Sequence, residues 1–143
     1  MPSEGRSRQA LRAELPVFDQ DSLVERVLGD VDIARQVAAR AIDDITRHRI
    51  GLSEALESAD SEKLHFHAHS LKGVSTLMEC HQLARCAEVI DGQSTHQIIA
   101  EARKETESIM PLINATIDAL DDFCCKKKKK RLSTMLLTER NIS

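Results

Sequence analysis

From Ile33 to Phe123 apolar residues return every three or four positions, and no stretch alternates apolar and polar as a half-buried strand would. That spacing is the one a helix needs to turn a single stripe towards a core. The residues on offer agree. Apolar types make up 41% of the chain, yet Trp and Tyr are absent and the aromatics are only Phe18, Phe66 and Phe123. A core of Leu, Ile, Val, Ala and Met favours helices over sheets, and 143 residues suffice for one compact domain with tails.

Local punctuation divides that pattern. Residues 1–16 read as a polar tail closed by Pro16, with order beginning near Phe18. A short helix through Leu23, Val24 and Val27 is expected, capped by Asp21 and ended at Gly29. A second helix starts near Asp30 or Asp32, carries Ile33, Val37, Ala41, Ile45, Ile50, Leu52, Leu56 and Ala59 as its core stripe, and stops around Ser58 to Asp60. Gly51 interrupts it without ending it. The third runs from about Ser61 to Met78 or Glu79, and the fourth, HQLARCAEVID, breaks at Asp91-Gly92-Gln93-Ser94. From Thr95 a last long helix carries Ile98, Ile99, Ala102, Ile109, Ile113, Ile117, Leu120 and Phe123, with a bend at Pro111. The expected architecture is all-α: an antiparallel four-helix bundle over 17–125 with a short N-terminal capping helix, followed by a basic extension at 126–143.

Charge and cysteine usage narrow the function classes. With 20 basic and 23 acidic residues the net charge is −3, so no general basic field exists to hold a nucleic-acid backbone. Stacking platforms for bases are missing too. No apolar run approaches the length of a membrane span. Cys80, Cys86, Cys124 and Cys125 form no CxxC, and no apolar leader stands at the N-terminus, so the expectation is a cytoplasmic monomer with reduced thiols.

Residues 65–73 read HFHAHSLKG. At roughly 100° per residue, Leu64, His67, Ala68, Leu71, Val74, Ser75 and Met78 fall on the arc opposite His69, while His65, Lys72, Gly73 and Thr76 lie within about 60° of it. The helix therefore separates its own histidines. His69 points to solvent with a lysine one turn on, and Gly73 leaves bare backbone where a partner can approach. His67 reads as a boundary histidine satisfied by a hydrogen bond. His65 reads as a solvated neighbour lining the same surface. Phe66 and Leu77 flank the exposed arc, open to two readings: packing under the short N-terminal helix, or apolar contact with a partner. His48, His81 and His96 are expected on the surface.

A neutral imidazole can attack phosphorus, and the phosphohistidine formed keeps a high transfer potential. Lys72 supplies positive charge on the same face, and electrostatic positioning is most of what a protein contributes to phosphoryl transfer. No GxxxxGK[ST] and no Gly-rich lid is present, so autophosphorylation from ATP is not expected.

The stretch AHSLKG, residues 68–73, resembles the signature of the histidine-containing phosphotransfer (HPt) domains of multistep phosphorelays. The resemblance extends over about residues 16–120, through PVFDQDSLVERVLGD, SEALESADSEKLHFHAHSLKG and LARCAEVID. It implies a four-helix bundle with a short capping helix. It also implies His69 as phosphoacceptor, Lys72 as the phosphate-stabilising cation and Gly73 as the clearance position, with His65, Phe66, Thr76 and Leu77 on the docking surface. The partners implied are response-regulator receiver domains and a hybrid histidine kinase. The chain would be a phosphocarrier with no kinase activity and no cofactor of its own, Mg²⁺ residing on the receiver. The match departs at Met78-Glu79-Cys80, where the family commonly has a leucine and a glycine. A polar residue on the following helix contacts the phosphate in some members, and the sequence assigns none here.

Two other readings stay open. One is a phosphorylation-independent module that binds receiver or kinase domains. The other is a metal-binding bundle, since His65 and His69 stand at i and i+4, although no third ligand is suitably spaced and no HExxH is present. The run Lys126 to Lys130 reads as a solvated helix end, with anionic lipid and acylation at Cys124 or Cys125 as the alternative.

Overall fold

The computed structural model describes residues 15–95 and 99–142, with side chains over 15–93 and 101–124. Residues 1–14 of the expected tail, His96 and Ile98 lie outside the described residues, as do the side chains of Cys125 and the lysine run. Five helices are present among the described residues: α1 (Gln20–Arg26), α2 (Val31–Glu57), α3 (Ser61–Leu77), α4 (His81–Thr95) and α5 (Ile99–Ile142). No described helix is long and apolar enough to cross a membrane.

Short connections force successive helices to run antiparallel, and each of α2 to α4 packs on the next while α5 closes back on α2. The result is a four-helix bundle with α1 as a small cap. The core is built from one stripe per helix: Ala38, Ala41, Ile45, Leu52 and Ala55 of α2, Leu64, Ala68 and Leu71 of α3, Leu83, Ala87 and Ile90 of α4, and Ile109, Ile113, Leu120 and Phe123 of α5.

Asparates start the helices and left-handed residues stop them. Asp19, Asp30 and Asp60 each accept the backbone N–H three residues on, from Ser22, Ile33 and Lys63. These are N-cap bonds. The first of them corrects the expected cap: Asp19, not Asp21, aims its carboxylate at the free N–H groups, and Asp21 sits in the first turn. The first three helices end in the same double turn. Gly29, Asp60 and Cys80 donate back to the carbonyls of Val24, Ala55 and Ser75, and the residue before each bonds one step inside. That places Leu28, Ala59 and Glu79 at positive φ. Gly29 was expected at that position and stands one residue beyond it.

The stripe of α2 is rotated from the expected one. Ile33, Val37 and Ile50 are exposed, and Ala34, Ala38, Ala55 and the ring of His48 take the buried face. The bulkiest apolar residues marked the wrong edge because close helix contact is made through small side chains. Ala59 lies past the helix end, in the turn. The expected break at Asp91 to Ser94 is also absent, since α4 continues through Gly92 to Thr95 and α5 begins at Ile99 rather than Thr95. One glycine in a helix costs only about 1 kcal/mol, which packing overrides.

The loop Met78–Cys80 joins the cap to the bundle. Met78 and Cys80 are buried. Glu79 pairs with Arg26 at 2.7 Å and His81 at 2.9 Å, and its carbonyl accepts the N–H of Asp19. Half-exposed His81 is thus a paired surface group. Leu15 and Pro16, upstream of the expected start of order, bond through their carbonyls to Gln82. Phe18 meets Phe123 edge to face, 5.3 Å between centroids.

His48 corrects the expectation most. It is buried, and its Nδ1 lies 3.1 Å from Nδ1 of His67. One ring must donate and the other accept, so the pair fits two neutral imidazoles of opposite tautomer. Burial holds both rings below the ordinary histidine range, with each cation further opposed by a neighbour, His67 for His48 and Lys63 for His67, against the carboxylates of Asp44 and Glu54. A Cβ on Gly51 would overlap the His67 ring, so α2 carries glycine there to let α3 close.

The unfolded chain binds protons at these histidines near pH 6.5 and the folded chain only at lower pH. Stability should therefore be full above about pH 6.5 and fall as pH drops from there towards the depressed folded values. Thermal melts across that interval check this, with His48→Gln expected to show a shallower loss than the wild-type protein. Equal slopes for both proteins would rule the pair out as the source.

Candidate functional site

The face of α3 turned away from the core is set by the buried row Leu64, Ala68, Leu71 and Ser75. Opposite that row His69 projects with 67% of its side chain exposed. His65 lies one turn before it and Lys72 one turn after. Gly73 has open space where a side chain would stand, and Thr76 folds its hydroxyl back onto the Lys72 carbonyl at 2.8 Å. Phe66 and Leu77 are 60% and 62% exposed. That exposure removes the packing reading for both, and Phe66 instead leans edge-on against the His48 and His67 rings. His67 lies on the inner side against His48 and Gly51, away from His69.

The structure adds a residue that sequence reasoning missed. Asp91, on α4 and only 15% exposed, sets Oδ1 2.6 Å from Nδ1 of His65 and Oδ2 3.2 Å from Nδ1 of His69. The two imidazoles stack, 5.8 Å apart and 27° from parallel. An ionised carboxylate can only accept, so it selects the Nδ1–H form of each ring. On His69 this leaves the Nε2 lone pair directed away from Asp91. The signal that would have found it was the continuation of α4: Glu88 and Asp91 stand at i and i+3 on the side opposite buried Leu83 and Ala87. Reading Asp91-Gly92 as a turn hid that.

Lys72 is partly tethered. Its Nζ lies 3.9 Å from Oε1 of Glu88, whose other oxygen is 3.8 Å from Arg85. Its side chain keeps 39% exposure, so its charge faces water. The thiols are poor candidates for chemistry. Burial, reinforced by the charge of Glu79, pushes Cys80 up to about 12, and Cys86 is buried too. Among the described residues no group of three or more His, Cys, Asp or Glu side chains is placed to hold a metal ion.

The Hpt domain family model matches residues 34–123, from the second turn of α2 to Phe123 in α5. Searches of curated proteins and of solved structures return no match. The matched span takes in all of α3 and α4 and most of the bundle, so the chain belongs to the Hpt domain family, whose members carry phosphoryl groups in phosphorelays, work with receiver domains and kinases, and are not kinases themselves.

Proposed function

We propose that this chain relays a phosphoryl group between aspartates of receiver domains by way of a phosphohistidine at Nε2 of His69. The observation that supports it most is the contact of Asp91 with Nδ1 of His69, on an exposed ring whose second nitrogen is left for attack. In the forward step the Nε2 lone pair forms a bond to phosphorus. The P–O bond to the receiver aspartate breaks, and the electron pair leaves with that carboxylate. Nδ1 keeps its proton, so the ring gains positive charge beside Asp91. The reverse step regenerates the same neutral imidazole.

Lys72 would meet the phosphoryl oxygens, and Gly73 would let the receiver come close. His65, Phe66, Thr76 and Leu77 would form the rim it rests on. Mg²⁺ would come with the receiver, and a hybrid histidine kinase would supply the phosphoryl group upstream. The deciding experiment is incubation with a radiolabelled phosphorylated receiver domain, followed by peptide mapping. Acid-labile, base-stable label on the peptide containing His69 is expected. Stable complex formation without label transfer would instead make the chain a pure interaction module.

Lys72→Ala should slow single-turnover transfer on the order of tenfold, less than the 10²–10³ typical of a donor lost from an enclosed site, because its charge is exposed and partly neutralised by Glu88. The defect should shrink with added salt, which screens Lys72 in the wild-type protein. Unchanged rate and unchanged phosphohistidine lifetime would assign Lys72 to the solvated surface.

A further inference from the structure

The carboxylate of Asp91 is held from two sides, and the tighter hold is not on the reacting ring. His65 approaches Oδ1 at 2.6 Å while His69 stands 3.2 Å from Oδ2. The last torsion of an aspartate is broad, so one long contact does not fix the carboxylate plane. A second short contact does. We propose that His65 is a positioning residue of the phosphotransfer site: by donating its Nδ1–H to Oδ1 it orients Asp91 so that Oδ2 meets Nδ1 of His69 and keeps the lone pair on Nε2. This rests on the reading of His69 as phosphoacceptor.

Three observations favour positioning over a second acceptor role. His65 has no lysine one turn on, since Ala68 and His69 occupy its i+3 and i+4 positions, so a phosphoryl group there would lack the cation Lys72 offers His69. Its nitrogen facing Asp91 is the closer of the two. The ring also covers one face of His69, which limits how that imidazole can rotate about its own side-chain bonds.

The test uses the full chain and reads His69 before any phosphoryl group arrives. Ring ¹⁵N shifts of unphosphorylated protein, recorded at alkaline pH where both imidazoles are neutral, report the tautomer of each histidine. His65→Phe keeps a flat ring but loses the donor. It is expected to move His69 from the Nδ1–H towards the Nε2–H form and to slow uptake by about fivefold, below the 10–100-fold common for lost supporting groups at closed metal sites. His65→Asn, whose amide nitrogen occupies nearly the place of Nδ1, should restore both. In an Asp91→Ala background His65→Phe should have no further effect on either readout.

An unchanged His69 signature in His65→Phe overturns the proposal, as does equal impairment of His65→Phe and His65→Asn, or label recovered on His65 itself. Failure of the functional reading looks different. Label would then remain on His69→Gln protein, while the tautomer shift in His65→Phe would still be present or absent on its own account.

Discussion

His69→Gln should take up no phosphoryl group while its helical content and melting temperature stay at wild-type values. Glutamine offers no nucleophilic nitrogen, because its amide lone pair is delocalised into the carbonyl. The fold has little to lose, since most of the His69 side chain is in water and its contact partner Asp91 keeps His65. Exposed substitutions of this kind fall within about 0.5 kcal/mol, and Gln is as good a helix former as His. His67→Ala is the matching control. It strands His48 in the core without its partner and opens space at Gly51, so it should lower the melting temperature more than it lowers transfer. Acid-labile label persisting on His69→Gln, or equal loss of transfer in the two variants, would refute the assignment of the two histidines to opposite faces of α3.

Asp91→Ala should slow single-turnover transfer by ~10²-fold with the fold intact. Losing the aspartate that fixes a histidine tautomer in an enclosed triad costs about 10⁴, through wrong tautomer and an unsupported imidazolium. Here His69 is exposed, so water replaces part of what Asp91 gives. In water the ring is free to protonate Nε2, the nitrogen that must attack, and the positive charge left on it after attack has no fixed counter-charge. The reverse transfer should suffer similarly, because both directions pass through the same transition state. The measurement is rapid quench from a phosphorylated receiver at saturating receiver, which separates slower chemistry from weaker docking. A loss under about threefold, or one confined to the concentration dependence, would show that Asp91 serves the surface rather than the step.

How much of this was legible beforehand differs by residue. The face that His69 occupies followed from helical arithmetic, because Leu64, Ala68 and Leu71 must share the opposite side whatever they pack against. The bare backbone at Gly73 followed the same way. His48 was misjudged since its own helix shows it beside charged neighbours, and its burial depends on α3 bringing His67 over Gly51. Ile33, Val37 and Ile50 were misplaced for a related reason: the stripe of α2 was read from size, whereas the interface selected its alanines. Asp91 was lost when Asp-Gly was taken for a turn, an inference from local preference that contacts along α4 outweighed.

What the sequence determines by itself is local in origin: the number and type of helices, the capping aspartates from Asp30 and Asp60, and the side of α3 that faces water. Each depends on atoms within one or two turns, so the order of residues is sufficient. Pairing belongs to the tertiary structure. The contact of Asp91 with His65 and His69, the joining of His48 to His67, and the hold of Glu79 on Arg26 bring together groups 19 to 53 residues apart. Their distances follow from the angle and register at which α2, α3 and α4 settle against one another. That register is set by the fit of many buried side chains at once, and no single stretch of sequence contains it.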